Sequence, residues 1–348
     1  MFISIIIPTF NRATQLLLTL HSLVRLKTSR NLFEIIIIDN GSSDTTKEIV
    51  EKCQFENEDV EIRYFYDDTP GLLSGRHRGA FESKGDILTF IDDDVNLSGT
   101  WLDSIITVME NRDDVDFLTG PNLPLYEKYP PKWLDYFWEN AYEGKYCTWL
   151  SLLDLGGEIQ EIHPNFVWGL NFTIRKSVFL ELGGFHPDNI PEQYQKFQGD
   201  GETGITMKAY EKGLKALYHP GVLLFHQVLP SRLTLEYFER RAYYQGVSNS
   251  FADLRLKHKE NEKIKINNSL VYKINVLNKI KRLIKKILST TKKENKQNIP
   301  TDVQDILMRV SIKEKEGYFF HQKMYNENEL VRNWVNQENF MKYKLPSQ

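Results

Sequence analysis

Asp92, Asp93 and Asp94 stand side by side at the end of the apolar run "DILTFIDDD". Adjacent carboxylates repel when ionised, so a folded chain tolerates them only with a cation, a proton or ample water at hand. On an extended chain alternate side chains share a face, which predicts that Asp92 and Asp94 converge while Asp93 points elsewhere. Two converging carboxylates at a strand end offer hard oxygen ligands to Mg²⁺ or Mn²⁺, ions that bind through one or two carboxylates together with substrate phosphates. In isolation the triplet reads as a solvated acidic turn, and its company in the sequence decides between the two.

The elements that must position it are legible. "ISIIIP" (3–8), "FEIIIIDN" (33–40) and "DILTFIDDD" (86–94) are continuous Ile-rich runs of the kind found in strands covered on both faces. Leu16, Leu20, Leu23 and Val24 recur at helical spacing between the first two, and "SSDTTKEIVEKC" supplies N-cap residues and then a helix after the second. Strand and helix in alternation predict right-handed crossovers and a mostly parallel sheet, with ligands gathering beyond the carboxyl ends of the strands, where Thr9, Asp39 and the aspartates fall. The aromatic, proline-bearing stretch 121–164 shows no period and reads as an elaborated loop or lid. Beyond it come a strand and helix closed by Gly183 and Gly184, a helix ending near Gly213, two short strands finishing at His226, and a helix from Leu235 carrying Arg240 and Arg241.

Composition changes after about residue 256. Between Lys257 and Lys296 lysines dominate, and Leu277, Ile280, Ile284 and Ile287 share one helical face while Lys279, Arg282, Lys285 and Lys286 crowd the others. Such a helix suits an anionic membrane surface, or else a solvated basic helix laying its apolar stripe on the rest of the protein. The expected division is a main domain over 1–255, a basic amphipathic helix and flexible linker over 256–300, and a helical segment over 301–348.

The chain has 348 residues, 41% of them hydrophobic, and a net charge of −3. That is enough to bury a sizeable core, and no general affinity for nucleic acid is indicated. Cys53 and Cys147 lie far apart in no CxxC pair, which argues against a thiolate zinc site or a disulfide framework. Pro8 stops the first apolar run too early for a signal peptide or membrane span, so the expected location is cytoplasmic, with peripheral attachment to the membrane face if the Lys-rich helix touches lipid.

"SIIIPTFNR", "IIIIDNGSSDTT", "GRHRG", "FIDDD", "GLNFTIRKSVFLELGGF" and "LYHPGVLLFH" occur in that order over residues 3 to about 246. In this the chain resembles the family 2 glycosyltransferases. The resemblance implies an α/β fold of the GT-A type, a Rossmann-like, mostly parallel sheet flanked by helices, here with a C-terminal helical, Lys-rich extension. It also implies a nucleotide-sugar donor, UDP-linked in first place, a saccharide or lipid-linked acceptor, and inverting transfer in polysaccharide or glycolipid synthesis. By the same resemblance Pro8, Thr9, Asn11 and Asp39 would hold the nucleotide, Arg76 the nucleotide or diphosphate, with His77 and Arg78 as rivals for the anion. Asp92 would face the ribose and metal, Asp93 would belong with it to the donor-nucleotide site, Asp94 would ligate Mn²⁺ or Mg²⁺, and His226 stands where many relatives supply a further ligand. Trp168 and Asn171 would line the acceptor site.

The family's base lies about one helix before a glycine and the final strands, which here selects Glu202 in "QGDGETGI", with Asp200 the alternative. Relatives usually carry an acidic pair and a further acid two positions on, where this chain has Gly201 and Gly204. "GDGETG" also matches GxGxxG, but no strand precedes it and no acid sits about twenty residues later, so it is not a dinucleotide fingerprint. The competing expectations are a retaining transferase on the same architecture and a non-catalytic nucleotide-sugar-binding adaptor docked on membranes.

Overall fold

The structure, a computed structural model, describes residues 1–266 and 299–341. The Ile-rich runs form β1 (Ile3–Thr9), β2 (Phe33–Asp39) and β4 (Ile87–Ile91), with β3 (Ile62–Tyr66) beyond β2. They pair in parallel in the order β4-β1-β2-β3. Both faces of these strands are covered. Ile6, Ile36, Leu88 and Phe90 enter one apolar cluster, while Ile3, Ile5, Ile7, Ile35 and Ile37 enter the other. The second cluster is closed by α1 (Ala13–Val24) and α4 (Trp101–Asn111), through Leu16, Leu20, Leu23, Trp101, Leu102 and Ile105.

The sheet continues past β4 with β12 (Asn171–Arg175), β6 (Phe117–Thr119), β13 (Ala216–Tyr218) and β11 (Gln160–Ile162), giving eight strands in all. β12 runs antiparallel to both of its neighbours. Phe90, Phe172, Phe179 and Phe185 pack edge-on or tilted in the first cluster, with centroids 5.0–6.1 Å apart. Gly183, at φ 81°, ends α5 (Lys176–Leu182), as its left-handed conformation allows.

Stretch 121–164 is not the unstructured lid expected. It contains β7 (Asn122–Tyr126), β8 (Glu139–Ala141), β9 (Gly144–Cys147) and β10 (Leu152–Asp154). With β5 (Val95–Leu97) and β14 (Leu224–Val228) they make a second, six-stranded sheet. Strands of three to five residues are too short to display a period, which is why the pattern escaped detection. Arg76, which the family resemblance puts in an Arg-bearing loop, lies on α3 (Leu72–Glu82).

The helix from Leu235 continues as α7 to Ile266 and packs along α8 (Thr301–Glu327), which is followed by α9 (Glu329–Val335). The expected boundary at 255 does not separate two cores: Val331, Trp334, Val335, Phe340 and Met341 belong to the first cluster. Trp334 Nε1 donates to the Phe197 carbonyl at 2.8 Å, and Arg255 Nη1 donates to the carbonyls of Val335 and Gln337. The Lys-rich face at 277–287 lies outside the described residues.

α7 and α8 cross at two glycines. A Cβ on Gly246 would stand 1.9 Å from the Glu314 carbonyl oxygen, and one on Gly317 2.0 Å from that of Tyr243. Gly317→Ala gains roughly 1 kcal/mol of helix propensity but forces a backbone shift, and overpacking typically costs about 1–3 kcal/mol. A net loss of about 1 kcal/mol in urea denaturation is expected; a stabilised variant would show that the two helices do not meet there.

Candidate active site

Three cavities run into one another beyond the carboxyl ends of β1, β2 and β4. The first, about 700 Å³, is walled by Pro8, Thr9, Asn40, Gly41, Tyr66 and Asp68 among others. The second, about 580 Å³, is lined by Arg12, Arg232, Arg240, Arg241 and His226. The third, about 160 Å³, lies among Arg76, Asp188, Asp200, Glu202 and Arg241. Asp92, Asn189 and Tyr244 border all three.

The aspartate triplet departs from the expected alternation. β4 ends at Ile91 and β5 begins at Val95, so the three residues lie in a turn, where the two-residue period of a strand does not hold. Asp93 and Asp94, rather than Asp92 and Asp94, converge: Arg12 bridges them with 2.7 and 2.5 Å contacts. Thr9 Oγ1 also donates to Asp93, at 2.7 Å. Asp92 turns to Arg76 Nη2 at 3.1 Å. Burial, with the charge of Asp94 adding to it, pushes Asp93 up to about 7. Burial also disfavours ionisation of Asp94, but contacts with His226, Arg232 and Arg12 outweigh it and hold that pKa below the usual carboxylate range.

His226 reaches Asp94 because β14 pairs with β5, with His226 opposite Val95. Its Nε2 lies 3.4 Å from Asp94 Oδ2 and 2.6 Å from Arg232 Nη1, and Nδ1 is 2.9 Å from the Leu150 carbonyl. Nδ1 donates to the Leu150 carbonyl, which leaves Nε2 as the ring nitrogen that faces both Arg232 and Asp94. Asp94 Oδ1 is buried without a partner. Among the described residues no three His, Cys, Asp or Glu side chains gather around one point. Asp94 and His226 are the two side chains here with donor atoms of the kind a divalent cation takes, and a pair of that size fits an ion that completes its shell with phosphate and water. Arg12 and Arg232 supply positive charge there in the structure as it stands.

Of the three candidates in "GRHRG", Arg76 alone lines these cavities. His77 turns into the core, where burial brings its pKa down to about 3. Its Nδ1–H faces the Phe340 carbonyl at 3.1 Å, and Nε2 accepts from the Phe185 amide. Arg78 pairs with Glu82 at 2.8 Å. Arg76 is 3% exposed and faces Asp92, Asp188 and Glu202, the last two at 3.9 and 3.8 Å. Gly169 makes this possible, since a Cβ there would stand 2.2 Å from Arg76 Nη2.

Glu202 opens α6 (Glu202–Glu211), with its side chain 29% exposed and Oε1 3.4 Å from the Gly169 amide. Asp200 is committed to His186 Nδ1 at 2.5 Å. Other expected residues stand apart from the cavities. Both oxygens of Asp39 are engaged, by the Ser42 amide and by Tyr64 Oη, each at 2.7 Å. Asn11 ties the loop after β1 to the loop after β2 through Ser42 and Ser43. Asn171, expected to meet acceptor, is fully buried, its amide used by Trp101, Asn122 and the Val222 carbonyl. Trp168 spends its indole N–H on the Asn165 carbonyl. Arg12, Asp188, Arg232 and Arg241 were missed as site residues; "FNR" and "ERR" carry two of them, Arg12 and Arg241, but nothing local signals where they point.

A fold with β1, β2 and β4 ending on an acidic turn, and an arginine-lined cleft above it, is that of a GT-A glycosyltransferase. Residues 4–181, just over half the chain, match glycosyl transferase family 2, and the chain belongs to that family. A glucosyl-dolichyl phosphate glucuronosyltransferase of Haloferax volcanii is 24% identical over 225 residues, 64% of this chain and 67% of its own length. A validoxylamine A glucosyltransferase of Streptomyces hygroscopicus subsp. jinggangensis is 26% identical over 208 residues, 53% of this chain and 47% of its own. Among solved structures, the mannosyltransferase PcManGT of Pyrobaculum calidifontis in complex with GDP-Man and Mn²⁺ superposes with a TM-score of 0.50 at 13% identity, covering 97% of this chain and 84% of that one. Among the described residues no helix is long and apolar enough to cross a membrane.

Proposed function

We propose that this glycosyltransferase moves a sugar from a nucleoside-diphosphate donor to an acceptor hydroxyl with inversion, in polysaccharide or glycolipid synthesis. The observation that carries the reading is the continuity of the cavities: an apolar-walled chamber opens through four arginines onto Glu202. The first chamber suits the nucleoside, with Asn40, Gly41, Tyr66 and Asp68 at hand for the base. UDP-linked donors come first because the family resemblance assigns the base to Asp39, and Asn40 and Gly41, which follow it directly, line this chamber. The arginines stand where negative charge develops as the bond from the anomeric carbon to the diphosphate breaks.

Asp94 and His226 would hold Mn²⁺ or Mg²⁺, which acts as a Lewis acid toward the leaving diphosphate. Glu202 accepts the proton of the acceptor hydroxyl as its oxygen bonds to the anomeric carbon, in one in-line displacement with no covalent intermediate. Arg76 and the Gly169 amide orient Glu202 for that transfer. Asp200, held by His186, is the less available base.

A thermal-shift panel of UDP, GDP, dTDP and CMP with and without Mn²⁺ tests the donor reading. A ligand at a hundred times its dissociation constant stabilises the native state by about 2.7 kcal/mol. One nucleotide is expected to give a Mn²⁺-dependent shift; silence across the panel would count against a nucleotide donor.

The acceptor is a saccharide or a lipid-linked saccharide, the latter supported by the dolichyl phosphate in the name of the Haloferax relative. For attachment to a membrane, replacing Lys279, Arg282, Lys285 and Lys286 with Gln is a better probe than truncation, because residues 331–341 belong to the core. Cosedimentation with anionic vesicles is expected to fall, and unchanged partitioning would end the proposal.

A further inference from the structure

We infer that Asp188, with Arg76 and Arg241, forms the subsite for the transferred sugar and selects a neutral polyhydroxylated ring over one bearing a carboxylate. The inference rests on the donor reading above and adds the chemical class of the sugar.

Four buried polar atoms on residues of the 160 Å³ cavity have no hydrogen-bond partner: Arg76 Nε and Nη1, Asp188 Oδ1 and Arg241 Nε. The side chains of Arg76 and Asp188 are only 3% and 14% exposed, so bulk water does not readily satisfy these atoms. Buried polar groups are normally paired, and a set of orphans around one cavity marks a place where a ligand completes the pairing. The backbone makes room for Asp188. Gly201, at φ 55°, carries no Cβ where one would lie 2.9 Å from Asp188 Oδ2.

The orphans include both a carboxylate acceptor and guanidinium donors. A hydroxyl can donate to the first and accept from the second. A carboxylate on the ligand can only accept, and it would meet more acceptors than donors: Asp92, Asp188, Asp200 and Glu202 line the cavity against Arg76 and Arg241, and burial, which pushes Asp188 up to about 7, already opposes further negative charge there. Asp200 is already tied to His186, but Asp92, Asp188 and Glu202 all face Arg76 within 3.9 Å. A uronate would have to desolvate its charge against them. The cavity is lined by Asp92, which it shares with the arginine-lined chamber, and by Glu202, the two neighbours a ring needs when its anomeric carbon lies between diphosphate and base.

Calorimetric titration of wild type, Asp188→Asn and Asp188→Glu tests this. The ligands are UDP, UDP-glucose, UDP-galactose, UDP-N-acetylglucosamine and UDP-glucuronate, with GDP, GDP-mannose and GDP-mannuronate as the guanosine set. For the nucleotide that binds, the best neutral donor should exceed the uronate by about tenfold or more in wild type. Asp188→Asn should reduce affinity for that donor, relative to the bare diphosphate, by about tenfold and narrow the gap to the uronate. Asp188→Glu, which keeps the charge, should keep the rejection. Unchanged affinity for the bare diphosphate in both variants reports an intact fold. Equal binding of neutral and uronate donors by wild type, or an unchanged sugar-to-diphosphate ratio in Asp188→Asn, would overturn the inference while leaving the donor reading standing. If no nucleotide binds wild type at all, the donor reading itself falls, and this inference with it.

Discussion

Glu202→Gln should lower kcat by about 10²–10⁴-fold, the usual worth of a positioned general base, while leaving the affinity for donor nucleotide nearly unchanged. The separation follows from geometry. Glu202 belongs to the smallest of the three cavities and lines neither the 700 Å³ chamber nor the Asp93–Asp94 turn. Among the described residues its oxygens meet the Gly169 amide and Arg76 alone, and a glutamine of the same shape can keep the amide contact. A large fall in kcat with an intact nucleotide shift is therefore the signature of lost proton transfer rather than of a collapsed site. Asp200→Asn is the companion variant. It removes the partner of buried His186, so its first effect should be on stability. If Glu202→Gln kept wild-type turnover and Asp200→Asn lost it at full foldedness, the base would be Asp200.

Asp94→Ala should abolish the Mn²⁺-dependent part of the nucleotide shift and with it most activity. Asp94 is fully buried and collects Arg12, Arg232 and His226 around one oxygen, leaving the other unpaired. Removing one member of a buried ion pair commonly costs about 3–5 kcal/mol. Here Arg12 and Arg232 remain 28% and 20% exposed and can turn to water, so the folding loss should fall below that range. Ligand shifts must accordingly be read against the variant's own melting temperature. Manganese binding followed by electron paramagnetic resonance supplies a readout independent of turnover. Undiminished nucleotide-dependent binding in Asp94→Ala would remove Asp94 from the metal site.

What could be read from the chain alone depended on how far the relevant physics is local. β1, β2 and β4 were legible because burial on both faces demands unbroken apolar runs, and 3–8, 33–40 and 86–91 supply them. The short strands between 122 and 154 were not, since three residues cannot show a period of two against noise. Alternation misjudged the aspartates because it holds only while the strand continues, and the strand stops one residue before Asp92. The meeting of Asp94 and His226 was anticipated by family resemblance, and its physical cause, the pairing of β14 with β5, involves residues 131 positions apart. Asp188 lay beyond reach for a related reason. A single aspartate in an irregular stretch carries no pattern, and its neighbours Arg76 and Arg241 come from helices distant in sequence.

The contact between His77 and the Phe340 carbonyl spans 263 residues and sets a timetable for biosynthesis. His77 follows Arg76 on α3, and the tail that holds it also covers the Phe185 side of the core. At about 5–20 residues per second, a ribosome needs roughly 13–53 s between making the two ends of that contact. Throughout that interval the nascent protein carries an uncapped aromatic surface behind its future catalytic cleft.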